Sequence, residues 1–405
     1  MHPLPPSITH LEYGHCSGGA SDLALILPAL IGLRALQIIS CSKLSRLLAV
    51  RALSSLTSLD ISQDLRATPA TYAWLASLRN LVECRVMTFP WSISTPRGEM
   101  IAFAEAMPPT LQHLGSRGLL DFSIDNAAGV VKRMLSQLTA LCSLSPVADA
   151  MTRSNCGAIL AHCASRLQRF EMYSYMATEM LLPDLGSLTR VSHLTLGSFS
   201  FATTATGRAV TAPLLPPSLI QLHLNHVSNF HLELATHLTN LEVLDLSQCN
   251  LVSPKQRSPV SGDMMMSASP LAPLARMPRV TSLILSQLGF NTARTLCDGI
   301  GDWAPQLRAL DLSSNTWLSD IALQPLTALT CLHHLDVRWT PLNMTAWPMI
   351  AQCMAPSPVY AGGIRVIAMH SKMSHASRVL PPAEMARIRS AHGALRARGV
   401  IIELH

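Results

Sequence analysis

Charge is scarce in this chain of 405 residues: Asp, Glu, Lys and Arg make up 13%, against about 25% in an average soluble domain. Aromatics are few as well, at 5%, while hydrophobic residues reach 49%, so the core must be aliphatic, mostly Leu and Ala. None of the ten cysteines forms a C-x-x-C pair. Cys156 and Cys163 have no second pair to complete a metal site, which leaves reduced, buried thiols as the expectation. A Gly-rich phosphate loop, a G-x-S-x-G elbow and an HExxH helix are all missing, so no catalytic constellation is legible and no cofactor is expected. Long apolar runs are missing too. The best, residues 23–39, is broken by Pro28 and Arg34, whereas a spanning helix needs roughly 20 predominantly apolar residues. The opening Met1-His2-Pro3-Leu4-Pro5-Pro6 lacks a basic segment and an apolar core, so it does not read as a secretory signal. No arginine precedes Arg34, which argues against a mitochondrial presequence. The expectation is a cytoplasmic protein without a membrane segment.

The net charge of +6 is unevenly placed. From Arg365 onward seven basic residues, among them Arg387, Arg389, Arg396 and Arg398, face only Glu384 and Glu403. Everything before that tail is close to neutral.

What the chain does have is self-similarity, which takes precedence over a length-based count of domains. Leu241-Glu242-Val243-Leu244-Asp245-Leu246-Ser247-Gln248-Cys249 is repeated as Leu307-Arg308-Ala309-Leu310-Asp311-Leu312-Ser313-Ser314-Asn315, and again from Leu332. This L-x-x-L-x-L-x-x-N/C pattern resembles the leucine-rich repeat family. Further copies start at Ile8, Leu33, Leu56, Leu81, Leu111, Leu141, Leu167, Val191, Leu219, Val280 and Ile364, mostly 22 to 30 residues apart. The fourth position is apolar throughout, from Leu11 and Leu36 through Cys84 and Phe170 to Leu335 and Ile367. The resemblance covers nearly the whole chain. It implies an α/β solenoid: a leucine-rich repeat horseshoe with a concave parallel β-sheet and helical or irregular convex segments.

Alternation in a short strand sends the fourth and sixth residues to one face and the fifth to the other. The ninth position, held by Cys16, Cys41, Cys249 and Asn315, turns the chain with a small polar group that bonds unpaired backbone. A Pro-Pro lead-in stands before Ile8, Leu111 and Leu219, where proline ends one return segment and launches the next strand. Two repeats depart from the pattern, with Ser116 and Pro146 at the sixth position, so their register is in question. The domain reading is one solenoid over 1–380 with about 14 repeats and a mobile loop insertion near 251–270, followed by a helix and strand cap over 381–405. In that cap a helix is expected over 383–398 and a strand over 400–404. The first repeat shows no polar cap, so either a partner covers that edge or the chain is a fragment.

The candidate site is the concave face. Its fifth positions carry Glu12, Asp60, Glu171, Asp245, Asp311 and Asp336, with Gln37, Arg85, Ser145, Thr195 and His223 between them. Near the C-terminal end this partial acidic row meets His334, Arg338 and Trp339, with Trp317 in a neighbouring turn. Exposed Trp and Arg are typical interface anchors. Tyr173 and Tyr175 beside Glu171 make a weaker cluster, and His223 and His226 lack a third ligand for a metal. The partner-binding set is therefore Glu171, Tyr173, His223, Asp245, Asp311, His334, Asp336, Arg338 and Trp339. What the resemblance implies is a non-catalytic scaffold for a protein partner. The alternatives are a substrate-recognition subunit of a ubiquitin ligase, or a ribonucleoprotein subunit anchored to nucleic acid by the basic tail.

Overall fold

The structure is a computed structural model and describes residues 5, 7–14, 25–39, 53–64, 69–88, 97–116, 127–146, 162–173, 185–199, 215–251, 269–288, 300–316, 318–319, 321–329, 331–342, 346, 348, 350, 365–367, 382–397 and 401–403. Tyr175, Trp317, Cys16, Cys41 and residues 252–268 of the expected loop lie outside the described residues. The chain divides into two compact units, one of residues 1–177 and 183–194, the other of 178–182 and 195–405.

In the first unit seven parallel strands run in sequence order: β1 (His10–Gly14), β2 (Ala35–Ile39), β3 (Ser58–Asp64), β4 (Glu83–Thr88), β5 (His113–Ser116), β6 (Ser143–Pro146) and β7 (Arg169–Tyr173). β8 (His193–Gly197) has residues on both sides of the division. The second unit carries β9 (Gln221–Asn225), β11 (Val243–Asp245), β13 (Ser282–Ile284), β14 (Ala309–Asp311), β15 (His334–Asp336), β16 (Arg365–Ile367) and β17 (Ile401–Glu403), again parallel and in sequence order. A separate parallel pair, β10 (Ser228–Phe230) with β12 (Asn250–Leu251), lies outside that sheet.

Most strands are launched by the same turn. Leu33, Leu56, Leu81, Leu141, Leu241 and Leu307 donate their N–H to the carbonyl three residues earlier. Proline fits the first corner of such a turn because its φ is preset. The Pro-Pro lead-ins use it identically, with Ile8, Leu111 and Leu219 bonded to the carbonyls of Pro5, Pro108 and Pro216. The next two N–H groups then share one carbonyl of the preceding repeat: Arg34 and Ala35 on Thr9, Thr57 and Ser58 on Arg34, Arg308 and Ala309 on Thr281. This double bond sets the register before the strand begins.

Register and burial follow the alternation. Leu11, Leu36, Leu59, Cys84, Leu114, Leu144 and Phe170 stand opposite one another in the first unit. Leu222, Leu244, Leu283, Leu310 and Leu335 do so in the second. From Leu36 onward every residue of these two rows is at most 2% exposed. Ser116 stands opposite Pro146, so the two doubtful repeats are in register after all. One sequence-based position needs correction: Val366, not Ile367, faces Leu335, and Ile367 pairs with Asp336. Two adjacent β-branched apolar residues pass the fourth-position test equally, and hydrophobicity alone cannot separate them.

The return segments differ between the units. The 30-residue repeats of the first unit carry α2 (Arg97–Ala106) and α3 (Ala127–Gln137), preceded by α1 (Pro69–Ser77). α3 buries Val130, Met134 and Leu135, the spacing of one helix face, and its Arg133 pairs with Glu105 of α2. Returns in the second unit use 3-10 turns such as Leu232–Ala235 and Ala272–Arg276, which cover about 2.0 Å per residue against 1.5 Å in an α-helix. There α4 (Ile300–Trp303) packs so closely that a Cβ on Gly301 would stand 2.3 Å from that of Ala328. The terminal helix α5 (Pro382–Ala397) precedes β17, which extends the sheet from β16.

Candidate functional site

The site begins with the turn that ends each strand. In β8, β9, β11, β13, β14 and β15 the backbone enters the left-handed region four residues past the central leucine, at six positions of which none is glycine. Ser198, His226, Gln248, Gln287, Ser314 and Trp339 have φ between 53° and 61°. Each N–H of the first five donates to the next repeat: Ser198 to Asn225, His226 to Ser247, Gln248 to Ser286, Gln287 to Ser313 and Ser314 to Arg338. Neighbouring backbone thus imposes a conformation that these side chains disfavour. One residue later, Asn315 is fully buried. Its Nδ2 donates to the carbonyls of Leu285 (2.7 Å) and Leu312 (2.8 Å), and its Oδ1 accepts the N–H of Leu288 at 2.9 Å. Cys249 fills the same place and donates to the Leu224 carbonyl at 3.0 Å.

The fifth-position aspartates of the second unit serve this turn. Asp245 accepts the N–H (2.9 Å) and hydroxyl (2.5 Å) of Ser247 on Oδ1, and its Oδ2 pairs with Nδ1 of His223 at 3.2 Å. Asp336 accepts the N–H of Arg338, and both of its oxygens receive Nε of that guanidinium at 3.0 Å, with Nη2 at 2.6 Å. Asp336 is only 3% exposed, so it braces Arg338 and Trp339 and offers little to a visitor. Asp311 differs. Its hydrogen bonds come from Ser313 alone, the N–H at 2.8 Å, and among the described residues no cation lies within ion-pair distance.

Burial raises the Asp311 carboxyl above its ordinary value of 3.8; Asp336 adds to the rise, while Ser313 and Arg338 oppose it. The folded chain thus holds this proton more tightly than the unfolded chain, and ionising it costs stability as pH climbs. Asp311→Asn keeps an acceptor for Ser313. In urea melts it is expected to be more stable than the native chain at pH 7, with the gap shrinking as pH falls toward 3.8 and gone below it. A gap independent of pH would contradict the assignment.

The remaining sequence-based candidates fall in two places. Glu171 and Tyr173 lie on β7 of the first unit, where Glu171 pairs with Arg169 at 2.7 Å and accepts the Ser145 hydroxyl at 3.4 Å. The other seven lie in the second unit, with His334 two residues before Asp336 on β15. Trp339 is 55% exposed and is the one aromatic among the exposed large hydrophobic residues described. Reading the fifth positions from sequence passes over Gly115 and Ile284, which stand opposite Arg85 and Asp311. Ile284 interrupts the acidic row between Asp245 and Asp311; its signal was simply its place in the register. The first unit's face is instead mixed in sign: Arg85 pairs with Glu83 at 2.9 Å, and burial raises the carboxyl of Asp60.

The thiols fit a packing role. Burial pushes Cys84 and Cys249 up to about 12 and raises Cys163 as well, which Arg166 partly opposes. Iodoacetamide at pH 8 is therefore expected to label Cys142 and Cys331, both half-buried, well before these three. Peptide-resolved mass spectrometry checks the order, and early labelling of Cys84 would contradict its burial. Among the described residues no group of three His, Cys, Asp or Glu is placed to hold a metal ion, and no helix is long and apolar enough to cross a membrane.

No protein-family model and no curated protein matches the sequence. Solved structures do. An internalin from Listeria monocytogenes is similar at 14% identity and a TM-score of 0.41, over 83% of this chain and 82% of that one. A leucine-rich repeat protein from Leptospira interrogans is similar at 15% identity and a TM-score of 0.40, over 97% and 100%. The plant peptide hormone receptor RGFR1, solved in complex with RGF2, has 16% identity and a TM-score of 0.35, over 91% of this chain and 48% of its own. The assignment of fold rests on this chain itself: by the spacing and register of its own strands, it folds as a leucine-rich repeat protein.

Proposed function

We propose that the chain is a non-catalytic protein-interaction scaffold that holds a protein partner on the polar sheet face of its second unit. The observation that carries the reading is Trp339. An indole half in solvent is unusual on a chain with so few aromatics, and its φ of 61° lies where bulky residues rarely go. Its neighbour Arg338 is locked to a buried aspartate, so the display is rigid and little side-chain entropy is lost on binding. Asp245, Asp311 and His334 share the same face.

The test is tagged purification of the full chain from its source cell with quantitative mass spectrometry, comparing the native protein with Trp339→Ala. A central aromatic anchor is worth about 2 kcal/mol or more, roughly a thirtyfold loss, so a partner held by this face should fall away. Unchanged partners would remove the reading. A second reading rests on α5, where Arg387 and Arg389 are both exposed: a contact with nucleic acid or a ribonucleoprotein. Phosphate binding weakens steeply with salt, so retention on RNA that ignores salt and the Arg387→Ala, Arg389→Ala pair would dismiss it.

A further inference from the structure

The three aspartates on the second unit's face are not equivalent. Asp245 is taken by His223 and Ser247, and Asp336 by Arg338. Asp311 has Ser313 on one oxygen and no cation within ion-pair distance among the described residues. One strand over, Ile284 stands opposite it, half-buried and apolar; on the other side stands the already compensated Asp336. Two residues back on the same face, Ala309 leaves room. A carboxylate with no cation in direct contact, beside an aliphatic surface, matches a long aliphatic side chain that ends in a cation. Because Ser313 already occupies one oxygen, a single-point donor suits the site better than the two-pronged guanidinium fork, which uses both.

We infer that the partner places a lysine on this face, its methylene stem over Ile284 and Ala309 and its ammonium on Asp311. The inference rests on the scaffold reading and names the chemistry that the face selects.

The probe is a phage-displayed library of random dodecapeptides, selected on the full-length chain and counter-selected on Trp339→Ala. Selected peptides are then titrated by fluorescence polarisation. The expected result is a lysine at one fixed position. Replacing it with norleucine, which keeps the stem and removes the charge, should weaken binding about ten- to a hundredfold. Asp311→Asn should cost the same, and the two changes together no more than either alone. Asp302→Asn, at an exposed acid of the return helix α4, should bind as the native chain does, and Asp311→Lys should bind the peptide with glutamate in place of lysine. The norleucine peptide tests the idea without altering the protein, so a misfolded variant cannot hide the answer. Peptides that need Trp339 but bind equally with norleucine and to Asp311→Asn would overturn the lysine while leaving the scaffold reading standing. If no selected peptide responds to Trp339→Ala and the cellular partners do not either, both fall.

Discussion

Replacing Asn315 with alanine is expected to destabilise the second unit by about 3–5 kcal/mol. The side chain is fully buried and serves several backbone groups, among them the carbonyls of Leu285 and Leu312 and the N–H of Leu288. Alanine leaves those groups in the interior without a partner, and each buried orphan costs about 1–3 kcal/mol. The sum stays below simple addition because the turn relaxes. Urea unfolding with a probe in this unit measures the loss. A cost under about 1 kcal/mol would mean that water replaces the amide, and that the residue is not the brace described here. Asn315→Cys, which copies the arrangement at Cys249, should recover part of the loss through the carbonyl but nothing for Leu288.

Phe170→Ala is the matching experiment in the first unit, with an expected cost of about 3–5 kcal/mol. Phe170 is 0% exposed, ranks among the largest fully buried side chains and stands opposite Leu144. It occupies a place that leucine holds in most repeats. Phe170→Leu should therefore cost much less, on the order of 1 kcal/mol. In a solenoid each repeat touches only its neighbours, so faster hydrogen exchange should be confined to β6, β7, β8 and the flanking returns. If Phe170→Ala also loosens amides around β14, the loss spreads further than nearest-neighbour packing allows. If the Leu and Ala variants are equally unstable, the core at β7 is fitted to an aromatic shape and volume is not the deciding factor.

The strand ladder was legible because its cause is local. A leucine every third or second residue, in a short strand, can only mean one buried face, and that held even where Ser116 and Pro146 blurred the sixth position. It failed by one residue at Val366 and Ile367, where both neighbours satisfy the rule. The left-handed row was not legible: Gln, Ser and His announce nothing of the kind, and their conformation comes from the carbonyl of the following repeat. The candidate face was half legible. Acidic residues could be placed on it, but not their bookkeeping. Whether an aspartate is paired within its own turn, as Asp336 is with Arg338, or left without a cation in direct contact, as Asp311 is, depends on the seventh residue of each repeat and on neighbours that only the register brings together.

That left-handed row also sets which changes of length the chain tolerates. The eighth residue of one repeat donates to the seventh of the next, and two N–H groups at each strand's start return to the repeat before. Donor and acceptor stand at the same positions every time. Gaining or losing one whole repeat re-forms each of these bonds with a new partner of the same kind. A single residue gained or lost inside a strand turns its leucines outward and separates both sets of bonds at once. The currency in which such a molecule grows or shrinks is therefore the intact repeat, while residue-by-residue drift is confined to the return segments, as their range from short 3-10 turns to full α-helices already displays.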